Sequence, residues 1–131
     1  MTASNSAKAA AHVIKQLAAR FPAAFVVDKW EPHRPLACGI FEPLRDACPD
    51  MGRRSLKMAL FFYTGRLRYR EALVENASRI DIDGHPVGLV SHEESVHAKE
   101  RVAAELARRN SQPTGISGLK AAAQQRKNGG K

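Results

Sequence analysis

Basic and aromatic side chains are most densely mixed between positions 53 and 79. This stretch holds seven lysines and arginines, two tyrosines and only two acidic residues. Cations bind phosphates, and an aromatic ring or a phenol hydroxyl binds a base or a sugar, so the mixture is typical of a nucleic-acid surface. The alternative is a core tyrosine beside a solvated helix face, and for Tyr63 both interpretations stay open. The candidate contact residues in this stretch are Arg53, Arg54, Lys57, Tyr63, Arg66, Arg68, Tyr69 and Arg79.

The overall charge agrees with an anionic partner. The chain has 21 Lys+Arg against 13 Asp+Glu, a formal net charge of +8, and a sequence pI near 10.0. Such an excess favours a polyanion, because each phosphate contact releases condensed counterions. Net charges of this size also occur in soluble domains that have no anionic partner, so charge alone does not decide.

Cysteines and histidines lack the spacing of a metal site. Cys38 and Cys48 stand ten residues apart, without a Cys-x-x-Cys pair. His92 and His97 are five residues apart, which on a helix separates their side chains by about 140°. We predict surface or capping histidines, cysteines that act as small apolar residues in a reducing compartment, and no metal site.

Enzymatic chemistry finds no matching set of residues. Glu93 and Glu94 are adjacent and point in different directions, which makes them a poor acid–base pair. Ser91 is better explained as a helix cap than as a nucleophile, because no glycine-rich oxyanion context surrounds it. Asp81 and Asp83 are able to share a divalent ion, but a solvated strand face ending in a turn explains them more simply. We predict that the chain is not an enzyme, takes no cofactor and has no small-molecule substrate.

Location follows by elimination. No stretch approaches the ~18 apolar residues of a membrane span, and the alanine-rich start lacks the layout of a secretory signal. We therefore predict a cytoplasmic protein without a membrane partner.

The 131 residues have room for one domain and a tail. Residues 1–7 are small and polar, and we predict that they are disordered. Residues 8–109 alternate between helical and strand patterns and form the predicted domain. Residues 110–131 are rich in glycine, serine, glutamine and lysine, and we predict a basic disordered tail, because such a composition cannot bury enough apolar surface.

Apolar periodicity predicts the helices of this domain. A spacing of three and four runs from Lys8 to Phe21, where Pro22 ends the helix. The segment Val26–Gly39 carries two prolines and is predicted as loop and extended chain. A short helix follows near Phe41 and ends before Pro49. A clearer helix is ended by Gly65, and another short helix follows over Arg66–Leu73; the buried stripe of the clearer helix is Leu56, Ala59, Leu60 and Tyr63.

The pattern then changes to that of a hairpin and a last helix. Ile80 and Ile82 alternate with charged residues, and the turn signal Asp83-Gly84 follows. Proline at position 86 interrupts the return strand Val87–Val90, so the hairpin is short. Ser91 and Glu94 have the spacing of a capping box, which opens a helix running to Arg109.

Four motifs occur in the order and spacing of a known family. They are Arg34–Phe41 (RPLACGIF), Leu56–Leu60 running into Tyr63, Arg68-Tyr69, and Ser78–Gly84 (SRIDIDG). In this order the chain resembles the ProQ/FinO family of bacterial RNA chaperones over about residues 8 to 106. The resemblance implies one mainly α domain with a small β-hairpin. It also implies binding of terminator-like stems with single-stranded 3′ ends, protection of small RNAs and mRNA 3′ ends, and assistance to RNA–RNA pairing.

The resemblance also assigns roles to single residues. It implies that Lys57, Arg68 and Arg79 supply the family's basic contacts, with tyrosines at positions 63 and 69, and Arg34 opens the first motif and joins the candidates. Ala37 and Phe61 stand where some members have basic side chains, so we expect those contacts to be absent. We expect the arginines at 53, 54 and 66 to supply the missing charge.

Rival functions remain at this point. The basic surface would also suit a protein-interaction module that docks an acidic partner, or a duplex-DNA binder without a clear recognition helix. A ribonuclease is the weakest alternative, because no acid–base pair is identifiable. We predict RNA, in the form of small RNAs and mRNA 3′ ends, as the partner of a monomeric, single-domain protein.

Overall fold

Five helices and one antiparallel hairpin make up residues 5–111, the part of the chain that this computed structural model describes. The predicted fold class, mainly α with a small β-hairpin, is confirmed. The elements in chain order are α1 (Asn5–Arg20), α2 (Phe41–Ala47), α3 (Arg53–Thr64), α4 (Leu67–Glu71), β1 (Ser78–Ile80), β2 (Pro86–Leu89) and α5 (His92–Ser111).

Helix α1 begins earlier than its periodicity indicated. It starts at Asn5 rather than Lys8, so the predicted disorder is wrong for residues 5–7. Alanine has the highest helix propensity, and alanines at positions 7 and 9 extend the helix in front of its first buried residue, Ala10. At the other end, α5 continues to Ser111, past the predicted end at Arg109. The rest of the predicted tail, residues 112–131, and residues 1–4 lie outside the described residues.

The core lies between α1 and α3. The α3 stripe predicted from the sequence is buried at Leu56, Ala59 and Tyr63, each fully shielded from solvent. Helix α1 packs its Ile14 and Leu17 against this stripe. Burial of large apolar side chains supplies most of the stabilisation of such a core. The same cluster includes Phe25, Leu36, Ile40, Leu44, Cys48, Tyr69 and Ile80.

Two tyrosine hydroxyls fasten the irregular segment between α1 and α2. The backbone N–H of Val26 donates to Oη of Tyr63 at 3.1 Å. The backbone N–H of Leu36 donates to Oη of Tyr69 at 3.0 Å. Most of this segment is irregular, as the sequence predicted, so side-chain acceptors satisfy backbone donors that have no helix or strand partner.

The segment also pairs with the hairpin. Leu36 forms a parallel bridge with Ile80, with Ala37 N donating to Ile80 O at 2.8 Å and Ile80 N donating to Pro35 O at 2.9 Å. Strands β1 and β2 pair antiparallel with a register shift next to Ile80. The hairpin is therefore held to the core from the β1 side.

The capping box in front of α5 is confirmed. Glu94 N donates to Oγ of Ser91 at 3.1 Å, and Ser91 N donates to Oε1 of Glu94 at 2.9 Å. Helix α5 packs against α4 and buries Ala98. No described helix combines the length and the apolar character that crossing a bilayer requires.

The hairpin turn allows only glycine at position 84. Gly84 has φ +86°, and a Cβ there would lie 2.7 Å from the Cβ of Ala23. We therefore expect Gly84→Ala to lower the free energy of unfolding by about 2 kcal/mol, through backbone strain and steric overlap. Urea denaturation followed by circular dichroism measures this change.

A matched control lies in the same hairpin. A Cβ on Gly88 would meet nothing within 4 Å, and its φ is not in the left-handed region. Gly88→Ala should stay within about 0.5 kcal/mol of the parent protein. Equal losses for the two variants would contradict a special role of the Ala23 contact.

Candidate nucleic-acid interface

Three predicted contact residues lie exposed in the first turns of α3. The side chains of Arg53, Arg54 and Lys57 all face solvent. The guanidinium of Arg53 lies 5.6 Å from the centroid of the Phe41 ring, and Nζ of Lys57 lies 5.3 Å from it. This ring therefore brings together two cations from successive turns of α3, beside the start of α2.

The row continues along α3 with an aromatic residue. Arg53, Lys57 and Phe61 follow one another at intervals of four, so they share one side of the helix over about 12 Å. We call these three residues the α3 row. Phe61 is 73% exposed, and no other large hydrophobic side chain of the described residues is as exposed.

Arg79 is the centre of a hydrogen-bonded network. Its Nη1 donates to Leu36 O at 2.7 Å, and its Nη2 lies 3.1 Å from Oε1 of Glu94. Its Nε is buried and has no hydrogen-bond partner within residues 5–111. The capping-box contact with Ser91 and then the Arg79 guanidinium lower the pKa of the Glu94 carboxyl. Arg79 thus connects β1 to the start of α5.

Tyr69 joins the same network through Leu36. Its hydroxyl oxygen accepts the Leu36 N–H, which leaves the phenol proton free to be donated. Burial raises the pKa of this hydroxyl, so it stays protonated at neutral pH. Tyr69 and Arg79 together border a cavity of about 710 Å³.

This cavity lies between the end of α3, α4 and α5. Its rim is rich in charge, and three arginines besides Arg79 reach it. Burial, followed by the charge of Arg101, lowers the pKa of Arg70, because two like charges approach each other there. The lining includes Phe61, Phe62, Tyr69, Arg70, Leu73, Arg79, Glu94, His97, Arg101, Glu105 and Arg108.

Neither tyrosine offers a ring face to a base. Tyr63 is 0% exposed and Tyr69 is 5% exposed. The Tyr63 ring packs edge-on against Phe25 and Tyr69, with centroids 5.0 Å and 5.9 Å away. The structure therefore resolves the alternative for Tyr63 as a core residue, and the ring of the candidate contact residue Tyr69 is buried as well. Contact between the Tyr69 hydroxyl and RNA stays a prediction.

Arg66 is partly buried and hydrogen-bonded to the irregular segment. Its Nη1 donates to Val26 O at 3.1 Å and to Nε2 of His33 at 3.2 Å. Its guanidinium lies 5.1 Å from the centroid of the Tyr63 ring. Burial lowers its pKa. Nη1 of Arg66 is thus engaged by the irregular segment, and the contact of Arg66 with RNA stays a prediction.

Arg68 and Arg34 also have internal partners. Arg68 donates from Nε to Trp30 O at 3.2 Å and from Nη1 to Oε1 of Glu71 at 2.8 Å. Arg34 donates from Nη1 to Ala23 O at 3.0 Å and from Nη2 to Gly84 O at 3.5 Å, and so connects the segment after α1 to the hairpin turn. Both side chains keep some exposure, and their contact with RNA stays a prediction.

Sequence reasoning missed Trp30. This residue, the chain's single tryptophan, is 47% exposed. Lys29, Arg68 and Arg109 lie 5.5–5.6 Å from its ring centroid. The cations come from three separate parts of the chain, so only its rarity and the neighbouring lysine marked it in the sequence.

One group of potential metal ligands occurs in the hairpin turn. Ligand atoms of Asp81, Asp83 and His85 lie within 4.8 Å of one another. The Asp81 carboxylate accepts the backbone N–H groups of Asp83 and His85, both at 2.9 Å. These two hydrogen bonds belong to the turn itself.

The chain is similar in sequence to known proteins. The ProQ/FINO family pattern matches residues 7–114. The RNA chaperone ProQ of Haemophilus influenzae is 34% identical over 99 residues, which are 73% of this chain and 49% of that protein. The RNA chaperone ProQ of Aliivibrio fischeri strain MJ11 is 36% identical over 90 residues, 66% of this chain and 42% of that protein. The chain thus spans about half the length of these relatives.

Solved structures agree with the fold. The NMR structure of a ProQ homolog from Legionella pneumophila has a TM-score of 0.65 at 27% identity, covering 86% of this chain and 92% of that one. A crystal structure from Neisseria meningitidis, described as a FinO-like RNA chaperone, has a TM-score of 0.62 at 22% identity and covers 82% and 84%. Helices with a small hairpin are thus common to all three. The chain belongs to the ProQ/FinO family.

The buried histidine His33 makes the stability of the fold depend on pH. Its Nδ1 donates to Glu31 O at 2.6 Å while Nε2 accepts from Arg66, an arrangement that requires a neutral ring. Burial lowers the pKa of His33. The unfolded chain therefore takes up a proton near the ordinary value of about 6.5, before the folded protein does.

We expect the free energy of unfolding to fall as the pH is lowered from about 7 to 5, and to fall less in His33→Gln. Urea unfolding curves at both pH values measure the difference. His97→Gln, which changes an exposed histidine, is the control and should keep the full pH dependence. The same pH dependence in parent and His33→Gln would refute a neutral, buried His33.

Proposed function

We propose that the protein is an RNA-binding chaperone that recognises a stem followed by a single-stranded 3′ end. The observation that carries the proposal is the Tyr69–Arg79 cavity at the end of the α3 row, which begins with two exposed cations. Family membership and the names of the relatives support RNA as the ligand. Those relatives are chaperones, a class that is not enzymatic.

The cations of the α3 row suit the stem. An A-form duplex hides its base edges in a deep, narrow groove, so proteins recognise it by shape and by its phosphates. Arg53 and Lys57 are exposed, and neither forms an ion pair with a carboxylate within residues 5–111. Their charge is therefore available to phosphates without the loss of an ion pair.

The cavity suits the 3′ end. A volume of about 710 Å³ has room for a terminal nucleotide. The Tyr69 hydroxyl has a free proton to donate to a ribose or phosphate oxygen, and Arg79 supplies positive charge on the cavity wall. A free 3′ hydroxyl could donate in return to Glu94, whereas a 3′ phosphate would be repelled by that carboxylate.

The biological role follows from this chemistry. A protein that covers a 3′ end and the adjoining stem would shield small RNAs and mRNA 3′ ends from exonucleases and would assist RNA–RNA pairing. We further propose that it does so as a monomer in the cytoplasm. The tail at positions 112–131 adds a diffuse positive charge in its sequence.

The first test concerns the RNA end. We expect a hairpin with a single-stranded 3′ oligouridine tail to bind at least tenfold more tightly than the blunt hairpin, through additional contacts worth about 1.4 kcal/mol or more. A tail ending in 3′ phosphate should bind more weakly than one ending in 3′ hydroxyl. Fluorescence anisotropy with labelled RNA measures both differences.

Other outcomes point to other functions. Generic electrostatic attraction, as in a module for acidic proteins, would favour the 3′ phosphate. Duplex DNA that competes as well as the tailed hairpin would favour a DNA-binding protein. Equal affinity for tailed and blunt hairpins would overturn the proposed recognition of the 3′ end.

The second test concerns the α3 row. Arg79 is unsuitable for it, because its bonds to Leu36 and Glu94 belong to the fold. We expect the double substitution Arg53→Ala/Lys57→Ala to weaken RNA binding by about 2 kcal/mol and to reduce the slope of log K against log salt by about 2. Binding titrations at several salt concentrations measure both.

Two exposed lysines of α1 provide the control. Lys8→Ala/Lys15→Ala removes the same charge from a helix outside the proposed surface. It should retain most of the affinity and the salt dependence. Equal weakening by the two double variants would place the effect in net charge and not in the α3 row.

A further inference from the structure

Phe61 is an exposed aromatic ring at the entrance to the cavity. It is 73% exposed and lines the same cavity as Tyr69 and Arg79. Its neighbour Phe62 is packed against the core and meets it at 89° with centroids 5.5 Å apart. This edge-to-face contact leaves most of the Phe61 ring uncovered.

Exposure of this size has an energetic meaning. A phenylalanine ring that stays in water gains none of the burial energy available in the core, and a charged side chain would be more soluble at the same place. The two preceding members of the α3 row are cations, so Phe61 is the one position in the row where a phosphate contact is replaced by an apolar surface.

Two arginines contribute positive charge to the same cavity as Phe61. Arg70 and Arg101 line the cavity, and within residues 5–111 neither forms an ion pair with a carboxylate. Each adds a positive charge to a lining that also holds Glu94 and Glu105. An aromatic ring and arginines in one cavity match the base and the phosphate of one nucleotide.

We propose that Phe61 and Arg101 clamp a nucleotide of the single-stranded RNA tail, with the base stacked on the Phe61 ring and its phosphate bound by Arg101. The inference rests on the proposed function and adds the place and the physical nature of the contact. Stacking is tolerant of base identity, because every base has a π face. It also gains little from low salt, in contrast to the cations at the other end of the α3 row.

Affinity and salt dependence separate the two halves of the clamp. Phe61→Ala should weaken binding of the tailed hairpin about tenfold, the size expected for loss of one stacked base, while the salt slope stays unchanged. Arg101→Ala should also weaken binding but reduce the slope by about 0.7, the value for one phosphate contact on a single strand. Neither substitution should change affinity for the blunt hairpin.

Matched variants exclude trivial causes. Phe61→Leu keeps an apolar side chain but has no π system, so its affinity for the tailed hairpin should fall nearly as far as that of Phe61→Ala. Phe61→Trp keeps a π system and should retain the affinity. Lys99→Ala removes one positive charge from the same helix as Arg101, and Lys99 lies at a different groove, lined by Val74 and Val96. It should leave the salt slope for the tailed hairpin unchanged. Circular dichroism verifies that every variant is folded.

A covalent readout locates the base directly. A 4-thiouridine placed in the tail should cross-link under long-wavelength light to the peptide containing Phe61, and this product should disappear in Phe61→Ala. Unchanged affinity and cross-linking in Phe61→Ala, while the tailed hairpin still binds more tightly than the blunt one, would overturn the clamp and leave the proposed function standing. Failure of the parent protein to prefer the tailed hairpin would overturn both.

Discussion

Two phenol oxygens hold the irregular segment of the fold in place. Val26 and Leu36 donate their backbone N–H groups to Tyr63 and Tyr69, and a buried N–H without an acceptor would cost about 1–3 kcal/mol. Fixing Leu36 also fixes the carbonyl that accepts from Arg79 and the bridge to Ile80. The two tyrosines therefore help to position the hairpin and the cavity wall through this backbone segment.

This dependence divides the chemistry of the interface. The tyrosine rings belong to the core and orient backbone, while exposed charge is concentrated at the start of α3. Arginines at 34, 66 and 68 connect loops through carbonyl oxygens and retain only part of their donors for a ligand. Phe61 has the most exposed aromatic ring of the described residues. The family resemblance had indicated only that a basic side chain is absent at this position.

The sequence predicted the features that depend on neighbours along the chain. The stripe of α3, the short α2 and the capping box at Ser91 all arise from residues within a few positions of each other. The family resemblance supplied the fold class. Whether an arginine is free could not be predicted, because Arg66 meets Val26 and Arg68 meets Trp30 across 40 and 38 positions of chain. Burial of the Tyr69 ring likewise depends on where the loop crosses it.

The Glu94 carboxylate interacts with two parts of the fold at once. Its Oε1 accepts the Ser91 N–H that caps α5 and also faces Nη2 of Arg79 on the cavity wall. An anion that binds Arg79 would weaken the ion pair between Arg79 and Glu94, so that Glu94 would interact only with the start of α5. Conversely, a change at the start of α5 would alter the attraction between Glu94 and Arg79. Thermodynamic reciprocity then requires that whatever occupies the cavity and the stability of the first turn of α5 influence each other to the same extent. Amide hydrogen exchange in the first turn of α5 should therefore report whether the cavity is occupied, without any label on the ligand.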